Sequence, residues 1–279
     1  MSNVVLVEWF SAHYYRVTLE DGTTKLIPSV TTKLGVIDKP NLARWRGDIG
    51  NREADLRMHD AAQRGTRIHW AYATALKGGA VVYDPWNKPV YTDEGIAELK
   101  KEHKEIAILR TQEEQWDICK LAEQYKRLAP EVLGVEETVY DLENNDAGTI
   151  DNILAISGGD YFISGSKPLT LPPGIYINDL KTGKYVDDNV WLQIAPYAVC
   201  YEKKYGVKIA GGLVTHTGAT IKAGIPGLKT LYRTREELFD SDYVDYRHAA
   251  KLWERNHKDE QPESFVFPSL ITMKVKEAV

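Results

Sequence analysis

Apolar and polar positions change period several times along the chain, and those changes divide it into segments. Over residues 4–27 the run HYYRVTLE alternates with period 2 and Asp21-Gly22 is a turn pair, which predicts a β-hairpin. Ser29, following Pro28, is placed to cap a short helix ending near Gly35. From about 41 to 77 the period is helical, with Gly65 marking a break or a close approach. Gly, Pro, Asp and Asn crowd 79–92, which reads as an irregular loop or short hairpin, and a long polar helix is predicted over about 94–128, stopping before Pro130.

Beyond Pro130 the pattern becomes that of strands. VLGVEETVYD and AGTIDNILAIS predict two strands joined through the turn-like LENND. A Gly/Pro-rich excursion occupies 157–174, and YINDLKTGK continues from a strand into a turn. Helix is predicted over 187–205, strand over VKIAGGLVTHT and over 227–233, and helix over 234–257; the last twenty residues show no clear period. Helix, three strands, helix and strand make a mixed α/β core with an N-terminal hairpin and helical additions. One domain is expected over 1–279: a helical part over 1–128, an α/β core over 129–233 and a C-terminal helix and tail over 234–279.

Composition narrows the partners. Apolar residues make 43% and charged residues 27% of the 279, which is ordinary globular composition. The formal net charge of −5 argues against a general basic coat for nucleic acid and leaves room only for a local basic channel. Two cysteines, Cys119 and Cys200, are too few for a disulfide framework or a four-thiolate iron–sulfur or zinc site. The N-terminus lacks the basic lead and apolar run of a signal peptide, and no apolar stretch approaches 18 residues. The expectation is a cytoplasmic protein without membrane contact.

The candidate chemistry begins in YINDLKTGK. Side chains alternate across a strand, so Ile175, Ile177, Asp179 and Lys181 share one face that is apolar for two positions and charged for the next two. A carboxylate beside an ammonium suits a hard divalent cation with a neighbouring group that handles protons or contacts phosphate. Taken alone, D-x-K is equally a strand-end ion pair. Asp151 is a lone acid within the apolar strand GTIDNILAI, where a carboxylate needs a partner or a metal. His69 in QRGTRIHWAYA is a possible ligand. Gln193, Tyr197 and Tyr201 recur every four residues along one predicted helix face.

Taken in order, RGTRIH, AGTIDNIL, INDLKTGK and QIAPY resemble the motifs of the PD-(D/E)xK nuclease superfamily, in its RecB-like and phage-type exonuclease branch. The resemblance covers roughly residues 60–205, and the leading PSVTTKLGVIDKPNLARW is similar to the entry of phage-type members. It implies a restriction-endonuclease-like core, a central mixed β-sheet flanked by helices. It further implies that His69, Asp151, Asp179 and the backbone carbonyl of Leu180 hold Mg²⁺ or Mn²⁺, as one or two ions. Lys181 would be the catalytic lysine, and Gln193 and Tyr197 would support the site or contact the DNA backbone. Glu136 and Glu137 precede on one strand and point to opposite faces, so at most one reaches the metals; Glu137 is added as a candidate ligand. The implied reaction is phosphodiester hydrolysis by in-line attack of a metal-activated water.

The sequence departs from the pattern in lacking a proline before Asp151, in its long interval from Asp151 to Asp179, and in lacking the four cysteines of relatives that carry an iron–sulfur cluster. A DNA exonuclease of recombination, repair or replication is the expectation. It is plausibly phage-encoded and active in a bacterial host, with DNA and a recombination or single-strand-binding protein as partners. A structure-specific endonuclease and a non-catalytic DNA-binding or partner-binding protein are the alternatives. For the DNA route, Arg46, Arg57 and Arg64 share a face if 41–67 is one helix, and Lys203, Lys204 and Lys208 form a second basic patch.

Overall fold

The computed structural model describes residues 3–10, 12–163, 167–220, 226–260 and 262. The aperiodic C-terminal twenty residues and the middle of the 157–174 excursion therefore lie outside the described residues, apart from Glu260 and Pro262. No helix among the described residues is long and apolar enough to cross a membrane.

The predicted N-terminal hairpin is part of a three-stranded antiparallel sheet, β1 (Asn3–Trp9), β2 (Ala12–Thr18) and β3 (Thr24–Pro28). The Ser29 hydroxyl accepts the Thr32 N–H at 3.0 Å, capping α1 (Val30–Lys33) as expected, and a 3-10 turn, Leu34–Val36, follows. The helical stretch beyond is not continuous. It breaks at Gly50, whose φ of +84° favours glycine, into α2 (Pro40–Ile49) and α3 (Asn51–Leu76). Gly65 lies within α3 and is the close approach: a Cβ there would stand 3.2 Å from the Thr182 hydroxyl.

The long polar helix expected over 94–128 is instead α4 (Asp93–Glu102), β5 (Ile106–Leu109) and α5 (Gln112–Leu128). The apolar run IAIL is buried as a strand parallel to β4 (Ala80–Tyr83), and Thr111 and Glu114 close a capping box that restarts the helix.

The central sheet has the order β12-β11-β10-β7-β6, formed by β6 (Glu131–Asp141), β7 (Asp146–Ile156), β10 (Gly174–Lys181), β11 (Ile209–Thr220) and β12 (Pro226–Thr234). Only β10 and β11 pair in parallel, and α6 (Asn189–Tyr205) makes the crossover that such a pair requires. Ile153 and Ile177 pack with Val190, Trp191 and Ile194 of α6 and with Tyr246 of α7 (Tyr243–Asn256), which continues a π-helical turn at Glu237–Asp242. Leu154, Tyr176 and Leu213 pack on the opposite face with Leu128 of α5. The excursion supplies a small hairpin, β8 (Gly159–Tyr161) and β9 (Leu169–Leu171). A mixed sheet flanked by helices is thus present, as expected.

Candidate metal centre

The site forms where β7 and β10 separate. Their antiparallel ladder ends at Asn178↔Asn152, and the next open N–H, that of Leu180, is donated to Asp151 Oδ2 at 2.7 Å. The N–H and C=O of one strand residue project to the same side, so the Leu180 carbonyl also turns towards this opening. On β6, pairs form at Val135↔Asn152 and Glu137↔Ile150 while Glu136 and Asp151 between them are skipped. Glu136 has φ +53°, rare for a side chain with a Cβ. This local turn takes both acids out of the strand alternation and brings them towards α3.

His69, on α3, completes the group. Its Nδ1 lies 3.3 Å from Asp151 Oδ1, and one donor atom each from His69, Glu136 and Asp151 falls within 4.8 Å of the others. Asp179 is buried, with Lys181 Nζ 2.8 Å from its Oδ2, yet that oxygen receives no well-directed hydrogen bond. Gln193 of α6 donates to Asp179 Oδ1 at 3.2 Å and accepts from Lys181 Nζ at 3.3 Å. Tyr197 is buried one turn further on, its ring seated over Gly148, where a Cβ would come within 2.1 Å of it. Tyr197 thus packs α6 against β7 one turn from Gln193.

The charges are unevenly held. Burial pushes the Asp179 carboxyl up, Lys181 opposes this and Asp151 adds to it, for a result of about 6. Burial also opposes the Asp151 charge, but His69, the Leu180 N–H and Lys181 outweigh it and hold that carboxyl below its usual range. Burial lowers the His69 imidazole, and Asp151 and Asp179 more than restore it. Lys181 is likewise kept above its ordinary value, burial notwithstanding, by Asp179 and Asp151. Burial and Asp151 raise Glu136.

Three carboxylates and a backbone carbonyl are the oxygen donors that hard divalent cations take, and the His69 imidazole adds one nitrogen donor. His69, Asp151, Asp179, Leu180, Lys181 and Gln193 lie together here. Glu137 does not. It shares the face of its partner Ile150 and is taken by Lys204 at 2.6 Å and by the Tyr205 hydroxyl. Glu136 is the acid that arrives, and strand alternation could not reveal this because the backbone turn occurs at Glu136 itself.

The expected basic ridges also differ. Gly50 separates Arg46 from Arg57 and Arg64, and each pairs with an acid, Asp55, Glu53 and Asp117 respectively. In the second patch Lys203 is held by Asp141 and Glu143 and Lys204 by Glu137, while Lys208 is exposed. Compared with known proteins, the chain matches no family model and no curated protein at a significant level.

Proposed function

We propose that this chain is a Mg²⁺- or Mn²⁺-dependent deoxyribonuclease on a restriction-endonuclease-like core, an exonuclease of the RecB-like branch with a role in DNA recombination, repair or replication. One observation carries the reading: four segments far apart in sequence deliver His69, Glu136, Asp151 and the Asp179–Lys181 pair to one opening between strands. Ion pairing alone leaves this arrangement unexplained, because the site gathers three carboxylates around only two cationic side chains.

His69, Glu136, Asp151, Asp179 and the Leu180 carbonyl would hold one or two ions. When bound, the metal supplies Lewis-acid activation of water and neutralises charge on the phosphate. Lys181, protonated beside Asp179, places positive charge where the phosphate gains negative charge, and its Nζ can orient a water's lone pair. Gln193 fixes the relative positions of Asp179 and Lys181 by bonding both.

The test is cleavage of end-labelled linear single- and double-stranded DNA, beside closed circles, with Mg²⁺, Mn²⁺ or EDTA and with Asp179→Ala as control. Metal-dependent loss of linear DNA alone, absent in the variant, is expected, and the order of label release gives the polarity. Cut circles would make the protein an endonuclease. DNA bound but never cut would leave a non-catalytic binding protein.

A further inference from the structure

We propose that the groove beside Lys181 binds an unpaired nucleotide of the DNA strand, with Tyr185 as the platform on which its base stacks. The proposal rests on the nuclease reading and adds to it a substrate class, the single-stranded end.

The groove runs between the α1–α2 segment and the loop from β10 to α6. Lys39, Asn41, Tyr185 and Asn189 line it, and it ends at Lys181 and Gln193, so it opens onto the candidate centre. Tyr185 is 81% exposed and belongs to none of the described hydrophobic clusters; the Lys184 ammonium lies 5.4 Å from its ring centroid. An aromatic face left in water at the mouth of a groove gains by stacking on a base, and every base offers a π face. Inside a duplex both faces of a base are covered by its neighbours, so this platform suits an unpaired base.

The groove also provides for the backbone. Lys39 is exposed, with no carboxylate partner among the described residues, and shares the groove lining with Lys181, whose ammonium pairs with Asp179. The lining acid, Asp187, is engaged: its Oδ1 accepts the Asn189 N–H at 2.9 Å. A second groove, lined in part by Thr66, Trp70 and Lys77, reaches the centre from the His69–Glu136 side, so a strand across the centre has a channel at each end.

The experiment uses the full chain, a ten-nucleotide single strand, the same strand carrying one abasic position, and one carrying the fluorescent base 2-aminopurine. Binding is read by fluorescence in EDTA, and cleavage kinetics are read with Mn²⁺. Tyr185→Ala should weaken binding and raise KM for the intact strand about fivefold or more, with kcat moving less, while Tyr185→Trp restores both. The alanine variant should also lose the wild-type preference for the intact strand over the abasic one. Cleavage by the wild type with no change in Tyr185→Ala would overturn the stacking site and leave the nuclease reading standing. Binding that depends on Tyr185 without any cleavage would keep the groove and remove the nuclease. Neither binding nor cleavage would remove both.

Discussion

Glu136 occupies a backbone conformation that costs a side-chain-bearing residue about 1 kcal/mol or more, within a strand that pairs on either side of it. The surrounding ladder holds it there, and the result is a carboxylate aimed at His69 and Asp151. Its neighbour Glu137 serves a different purpose, joining β6 to α6 through Lys204 and Tyr205. The proposed metal centre thus assigns Glu136 a ligand role and Glu137 a structural one, and calorimetry can tell them apart. Glu136→Gln should weaken Mn²⁺ binding about tenfold or more, whereas Glu137→Gln should leave it near wild type. Equal losses, or a loss confined to Glu137→Gln, would refute the assignment. Both acids are plain in the sequence, but choosing between them requires the φ of Glu136, which no period-2 pattern encodes.

Among the elements, β7 and α6 are coupled through a missing side chain. Gly148 leaves room for the Tyr197 ring, and Tyr197 in turn lies one turn from Gln193, which holds Asp179 and Lys181. Gly148→Ala places a methyl group inside the ring's volume, so it should cost about 1–3 kcal/mol by chemical denaturation. It should also be strongly non-additive with Tyr197→Ala, since removing the ring removes the clash. Additive effects would mean that the two residues are not in contact. The two glycines of RGTRIH and AGTIDNIL therefore serve as points of close approach, Gly65 to Thr182 and Gly148 to Tyr197. Other element-level facts were legible but differently weighted: T-Q-E-E at 111–114 is a capping box that divides the 94–128 stretch, and glycine at 50 ends a helix as readily as glycine at 65.

For the whole molecule, burying the Asp179 carboxylate at the strand opening lowers the stability of the fold at neutral pH. The Asp179 carboxyl is raised from 3.8 to about 6, so between these values the folded state keeps a proton that the unfolded chain has released. Stability from this group therefore falls as pH rises through that window and stays lower above it. Asp179→Asn removes the effect. In EDTA, the unfolding free energy of the variant minus that of the wild type should rise by about 1–3 kcal/mol from pH 4 to pH 7 by urea titration. A flat or falling difference would show that Asp179 ionises freely in the fold. The sequence by itself determined the strands of the central sheet, most helices, the mixed α/β class and the short motifs, because periodicity, caps and turns act over a few residues. Only the tertiary structure decided that Glu136 rather than Glu137 reaches His69, that β7 and β10 part beside Leu180, and that Lys203 and Lys204 are paired with acids elsewhere in the chain. Each of these depends on pairing between residues far apart along the chain, which local pattern does not specify.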